Sequence, residues 1–477
     1  MSDLDSTQIS IDQSPEKNNL KSPFNTESYL KSNLNSLRWL IMTFACLTCI
    51  GDYYCYNLPG SLQSALMDKL SLSTSQFNVI YIVALIPNIF LPVLGGVLIN
   101  RLGLRAAYKI FCALLVVGQA IMTLGAQRSN YYILLFGQVI YALGGDCVLV
   151  SMTAMISKWF MGRELSFALG MSLCIARLGN CFDSFLSPNI YVSTSQLYVP
   201  YLIGLGFCCV SLLSSLMVGR FDEKAEQIKI SLNEQPLSPT VLLRDTKNFN
   251  LLYYLVIVTS GLLYVGFEGL TYNLNHFMIQ RFGFDSVTAG SFIPIIYICP
   301  ILVSATLGKF TDQYGRRTLL LFVACVIFFL AHIILAFLPD TDSEHTDYAM
   351  IWILFWIGIF FAVYTTVLLP CIALVAGEKH TATGYGLAFA VQNLLLVIMS
   401  LGLGSIHEGA STETLAYFWS EVVLAIVVLV CIFMTVWMSL EDKRCDGKLN
   451  KSTIQNIKDE ELENGFAVEM TMTSFKV

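Results

Sequence analysis

The sequence predicts an all-α integral membrane protein: twelve transmembrane helices in two six-helix bundles, with both termini on the cytoplasmic side. Three observations lead there: a composition that only lipid accommodates, twelve apolar runs of spanning length, and a motif that recurs at matching places in the two halves. Of 477 residues, 55% are hydrophobic and 13% charged, against about 25% charged in an ordinary soluble domain. Mean hydropathy is +0.64. Each crossing needs roughly 20 apolar residues, so about twelve crossings use about half the chain and leave little for a soluble catalytic domain. A pI near 5.5 and a net charge of -6 argue against nucleic acid as a partner. All 14 cysteines except Cys445 lie in apolar runs and read as small buried side chains. No zinc-type spacing occurs, and no metal or cofactor is expected.

In chain order, residues 1–37 are Ser/Asn-rich, begin with Asp3 and Asp5 and lack the apolar stretch of a signal peptide, so they read as a disordered cytoplasmic tail. Apolar runs follow at 38–59, 77–99, 106–125, 131–157, 165–187 and 198–219, which makes 38–220 the first bundle. The polar stretch 221–249, with Pro236 and Pro239, is a cytoplasmic linker. Runs at 250–274, 287–308, 318–338, 348–375, 382–404 and 415–439 make 250–440 the second bundle, and 441–477 is an acidic cytoplasmic tail. Orientation comes from Lys and Arg, which favour cytoplasmic loops. Only Lys69, Arg128 and Arg281 fall in the opposite loops and Arg177 lies inside a span; every other basic residue is on the side of the termini.

The halves carry a common signature. After the second run comes Gly96-Val-Leu-Ile-Asn100-Arg101-Leu-Gly103-Leu-Arg105, and after the eighth Gly308-Lys-Phe-Thr-Asp312-Gln-Tyr-Gly315-Arg316-Arg317. The shared spacing G-x-x-x-[DN]-x-x-G-x-R points to internal duplication. Glycines permit tight turns and close helix approach. Asn100 or Asp312 accepts hydrogen bonds from arginines or helix ends. Asn100, Arg101, Arg105, Asp312, Arg316 and Arg317 are therefore expected to latch the two bundles on the cytoplasmic side. At this point the chain resembles the major facilitator superfamily over residues 38–440.

A charge at bilayer depth costs at least about 2.5–3.5 kcal/mol, so it faces a cavity or a partner. Asp146 in the fourth run and Arg177 in the fifth lie at similar depth, roughly 18 and 21 Å from the cytoplasmic loop between them at 1.5 Å per residue. Two readings stand: an ion pair neutralising itself, or a carboxylate and a guanidinium facing one cavity and gripping the two ends of a zwitterion. The second is preferred, because Gly144 and Gly145 let a ligand approach the backbone. Asp52, beside Tyr53, Tyr54 and Tyr56, lines the cavity or sits at the luminal interface. Glu268, with Asn273, Asn275 and His276, forms the cavity rim or caps a broken helix. Gln392 and Asn393 bond substrate or neighbouring helices. Asp183 and Glu421 read as hydrated span ends, and His332 as a packing residue.

A narrower resemblance rests on Cys55-Tyr-Asn-Leu-Pro59, Leu62-Gln63, Gly144-Gly-Asp146, Trp159-Phe-Met-Gly-Arg-Glu-Leu165, Ala176-Arg177-Leu-Gly179, Arg281-Phe-Gly-Phe284, Tyr297, Pro370, Gly384-Tyr-Gly386 and Gln392-Asn393-Leu394. These resemble the lysosomal dipeptide transporter branch of the superfamily. The resemblance implies uniport of dipeptides from an acidic lumen by alternating access, with Asp146 and Arg177 at the substrate termini and Tyr297 beside them. It also implies a glycosylated accessory membrane subunit. The one N-x-[ST] sequon, Asn450-Lys451-Ser452, lies in the cytoplasmic tail. Asp146 stands where the branch has Glu, Gln138 where it has Arg, Leu369 where it has an aromatic residue, and the N-tail lacks an acidic dileucine signal. The alternatives are a proton-coupled symporter of small organic acids or other nutrients, titrating Asp52, Asp146 or Glu268, and a non-transporting receptor or scaffold. With no G-x-S-x-G, H-E-x-x-H or P-loop pattern, an enzyme is not expected.

Overall fold

The computed structural model describes residues 23–72, 74–161, 164–231, 249–272, 274–284, 289, 291–338, 344–377 and 380–452. Among them, eleven helices are long and apolar enough to span a bilayer, and a bent pair makes the twelfth. They are α1 (Leu30–Ser61), α2 (Val79–Asn88 with Leu91–Ile99), α3 (Leu104–Gln127), α4 (Tyr131–Phe160), α5 (Leu165–Thr194), α6 (Tyr198–Ser231), α7 (Leu251–Thr271), α8 (Pro294–Tyr314), α9 (Arg317–Phe337), α10 (Tyr348–Ala376), α11 (Thr381–Gly409) and α12 (Thr414–Arg444). Every expected span has its helix, and the described residues contain no strand.

Local chemistry sets the ends. The side chains of Asn130, Asn250 and Thr412 accept from backbone N–H groups of Ile133, Tyr253 and Leu415, capping α4, α7 and α12. The two pieces of α2 meet at 44° just after Pro87, where a proline inside a helix removes a backbone donor. In α10 a π-helical turn, Tyr364–Leu368, precedes Pro370, which has no N–H to continue the ladder. Helix also extends beyond the apolar runs. The helix that becomes α1 starts at Pro23, inside the expected tail; α6 continues to Ser231, inside the expected linker; α12 reaches Arg444 and the chain packs on to Ser452.

Within the first bundle α1 packs on α5 and α6, and α3 on α4 and α6; within the second, α7 packs on α11 and α12, α8 on α10, and α9 on α12. Glycines bring α3 and α4 together: a Cβ on Gly125 would lie 2.6 Å from the Leu134 nitrogen, and one on Gly137 2.6 Å from that of Met122. Small residues at such crossings replace the hydrophobic drive that lipid removes. The bundles meet mainly in the half nearer the termini, where Leu91–Ile99 of α2 runs along α11 and the first half of α5 runs along α8. In the other half a bridge between bundles joins the hydroxyls of Tyr56 and Tyr272, 3.0 Å apart.

Candidate functional site

Asp146 and Arg177 both sit at helix irregularities. Leu143 and Gly144 interrupt α4, and Asp146 lies in the first turn of the segment that resumes, Gly145–Phe160. Arg177 caps the C-terminal end of Leu165–Ala176, where α5 is interrupted. Partial positive charge at a helix start favours Asp146, whereas Arg177 lies at once at the end of one segment and the start of the next, Leu178–Thr194, so its charge is met by its side-chain partners. The break in α4 thus offsets part of the cost of placing Asp146 in a membrane.

The two charges do not pair with each other, so the self-neutralising reading is corrected. Each turns to the second bundle. Arg177 Nη1 meets Glu268 Oε1 of α7 at 2.7 Å, without the alignment of a hydrogen bond. Both are buried, 5% and 4% exposed. The Arg177 guanidinium carbon lies 4.9 Å from the ring centre of Tyr53, 5.1 Å from Phe361, 5.8 Å from Phe267 and 5.9 Å from Tyr297. Faces of aromatic rings attract a guanidinium and exclude water from it. Phe267 stacks on Phe361 at 4.3 Å, which fixes that wall. Glu268 belongs to the core of this cluster, and Thr271 donates to its Oε2 at 3.2 Å.

Asp146 accepts a 2.5 Å hydrogen bond from Asn393 Nδ2 on α11, and the same amide donates to the Asn88 carbonyl at 3.0 Å. Asn88 ends the first piece of α2, so Asn393 serves a carbonyl exposed by the bend while holding Asp146. Asp52 accepts from the Tyr141 hydroxyl at 2.8 Å, and a Cβ on Gly145 would stand 3.2 Å from its Oδ1. Gln392 points elsewhere: its amide donates to Ser260 and to Tyr364, both at 2.7 Å, tying α11 to α7 and α10. Gln138 is 1% exposed, and its amide has no partner among the described residues.

On the face carrying the termini, the repeated motif divides its labour. Gly96 and Gly308 occupy close approaches between bundles: a Cβ on Gly96 would lie 3.0 Å from the Ala382 carbonyl of α11, and one on Gly308 2.5 Å from Phe167 of α5. Asp312 accepts the backbone N–H groups of Ser166 at 3.2 Å and Phe167 at 3.1 Å, capping α5 from the opposite bundle. Arg317 donates to Ser166 Oγ at 3.3 Å and to Asp312 Oδ1 at 3.4 Å. Arg105 instead turns inward, to Asp222 and Glu226 of α6. Lys158 reaches the same carboxylates at 2.7 and 2.5 Å, and Trp159 Nε1 donates to Asp222 at 2.7 Å. Arg101 and Arg316 are exposed, and the Asn100 side chain lies outside the described residues.

Sequence reasoning did not single out Phe267, Phe361, Ser166, Asp222 or Glu226. An aromatic or serine in a run of apolar residues carries no signal of its own, and Asp222 and Glu226 fell in the expected linker. Asn273, Asn275 and His276 lie outside the described residues or have undescribed side chains.

The sequence profile described as Major Facilitator Superfamily matches residues 42–400 and 297–454. The chain is 28% identical over 429 residues to the lysosomal dipeptide transporter MFSD1 of Danio rerio, spanning 87% of this chain and 89% of the relative. It is 26% identical over 432 residues to the Homo sapiens protein of the same name, spanning 88% and 89%. The choline/ethanolamine transporter flvcr2a of Danio rerio is 22% identical over 355 residues, 69% and 74% of the two chains. Among solved structures, the transporter FucP in the outward conformation matches with a TM-score of 0.64 at 15% identity, over 83% of this chain and 98% of that one. The human organic anion transporter MFSD10 matches at 0.60 and 14%, over 83% and 99%. At such identities the likeness is one of fold.

Proposed function

The chain belongs to the major facilitator superfamily and is a membrane transporter rather than an enzyme, and from that premise we propose that it is a uniporter of small zwitterions, dipeptides first. The observation that carries this reading is the Arg177–Glu268 pair, held between the bundles inside a wall of Tyr53, Phe267, Tyr297 and Phe361. A substrate carboxylate that displaces Glu268 exchanges one ionic contact for another, so the desolvation of Arg177 is already met by the fold. Glu268, once released, or Asp146 then receives the substrate ammonium. The aromatic rings accept side chains of varied shape. Asp52, Asn393 and Tyr297 complete the lining of the site, and Gln392 acts through helix packing.

Relatives at 26 and 28% identity along most of the chain are named lysosomal dipeptide transporters, which supports a lysosomal membrane, export from lumen to cytosol, and termini on the cytosolic side. A glycosylated accessory membrane subunit belongs to the same reading. Alternating access is the rocking of the two bundles about this site. Asp312 and Arg317 hold the cytoplasmic side closed, Gly96 and Gly308 set the close approach, Asn100 is the counterpart of Asp312, and Arg101, Arg105 and Arg316 anchor the flanking loops.

The test is uptake of zwitterionic dipeptides into proteoliposomes. Arg177→Ala and Asp146→Ala, reconstituted to the same density, are expected to lose at least about tenfold in uptake. Unchanged uptake in both variants would falsify the site. The second reading, proton-coupled symport, has the three carboxylates Asp52, Asp146 and Glu268 in its favour. It requires intravesicular acidification that scales with substrate flux, and uniport requires none.

A further inference from the structure

The two halves treat their matching arginines differently. Arg105 at the start of α3 bonds directly to Asp222 near the end of α6. Arg317 starts α9, and another acid, Asp442, lies near the end of α12, fully buried. Yet Asp442 accepts from other donors, the Leu449 N–H at 2.8 Å and Asn450 Nδ2 at 2.7 Å. The chain reverses after α12 through Asp446 and Gly447, both at positive φ, and a Gly447 N–H to Asp442 carbonyl bond of 2.8 Å closes the turn. The returning segment lies on the α8–α9 loop. Asn450 Oδ1 accepts the Thr318 N–H at 3.1 Å and its hydroxyl at 3.0 Å, and the Asn450 carbonyl accepts the Arg316 N–H at 3.2 Å. Arg316, the residue at the N-cap position of α9, makes no side-chain cap. Asn450, more than a hundred residues away in sequence, supplies it.

Arg317 is thereby held from behind. Its Nη1 donates to the Leu449 carbonyl at 2.9 Å and the Lys451 carbonyl at 3.1 Å, while Nη2 reaches Ser166 and Asp312. Were Asp442 to bind Arg317 as Asp222 binds Arg105, the guanidinium would be drawn into its own bundle. We propose that the segment 445–452 is a brace that keeps Arg317 from Asp442 and aims it at α5, with Asn450 the positioning residue, so that the post-α12 segment sets the stability of the closed terminal face. This rests on the reading of Asp312 and Arg317 as a gate and is independent of the substrate.

Amide hydrogen exchange of the full-length protein, without substrate, tests it. The reporters are the Ser166 and Phe167 amides, which belong to the other bundle and do not touch Asn450. Asn450→Ala is expected to raise their exchange about three- to tenfold, the scale of a lost helix cap. In an Arg317→Ala background the same change is expected to add nothing. A purely structural segment would raise exchange at 315–318 and leave 166–167 as in the unaltered chain. That result, or an effect that persists in the Arg317→Ala background, overturns the proposal. Thr318→Val removes one donor to Asn450 conservatively and is expected to act in the same direction, more weakly; it serves as the variant if Asn450→Ala does not fold, and unaltered exchange at 166–167 in it counts against the brace. Because no ligand is present, failure here leaves the dipeptide reading standing, and the reverse.

Discussion

Arg177 is charged, buried and surrounded by rings, and these properties depend on one another. A guanidinium is weakly hydrated and planar, so it tolerates an aromatic wall that a lysine ammonium does not. Its contact with Glu268 is ionic but unaligned, which leaves the fork free to bond a planar carboxylate in the bidentate manner. Arg177→Lys keeps the charge and loses both the fork and the ring stacking. Its transport efficiency for dipeptides is expected to fall about 10- to 100-fold with little change in thermal stability; KM and Vmax of purified protein check this, and near-normal efficiency would show that only charge matters at the site.

At the level of helices, the first bundle is tied at the terminal face by two carboxylates of α6, Asp222 and Glu226, the first of them fully buried. Asp222, on the part of α6 beyond the apolar run, joins α3 through Arg105 and α4 through Lys158 and Trp159. Removing one partner of such a buried cluster strands the others in a poor dielectric and typically costs about 3–5 kcal/mol. Asp222→Ala is therefore expected to lower the unfolding midpoint of the detergent-solubilised protein by several degrees, with Glu226→Ala, whose side chain is 25% exposed, doing less. Equal midpoints for Asp222→Ala and the unaltered chain would mean that the cluster holds nothing together. The tight α3–α4 crossing at Gly125 and Gly137 is a second tie, made by sterics alone.

Taken as a whole, the molecule is closed on the terminal side, and its motif glycines are among the places where the bundles touch. Gly308→Leu places a side chain against Phe167 in a contact with no room for a methyl. Overpacking of this kind costs about 1–3 kcal/mol, and here the closed state bears it while the open state does not. The expected outcome is substrate binding that persists in a thermal-shift assay while exchange across the vesicle membrane slows about tenfold or more. Exchange at the normal rate would show that this crossing does not have to close during the cycle.

The sequence by itself determined the class and the number of crossings, because an apolar run of fixed length crosses lipid as a helix; of the membrane charges it singled out Asp52, Asp146, Arg177 and Glu268 but read Asp183 and Glu421 as hydrated span ends, where both are buried and hydrogen-bonded. It also placed Asp146 and Arg177 at one depth, because depth is linear in residue number along a helix. It did not determine partners. Whether Arg177 meets Asp146 or Glu268 depends on the rotation of α4, α5 and α7 and on which bundle each side chain faces, and a helix-to-helix angle is not written in a local pattern. The same holds for Gln392 and Asn393, adjacent in sequence yet pointing about 100° apart as helix geometry requires, one into its own bundle and one across to Asp146. The reach of α6 to Asp222 and the return of the chain after α12 onto Arg317 were likewise settled only by tertiary structure, since polar residues that look solvated in sequence become buried when another element supplies their hydrogen bonds.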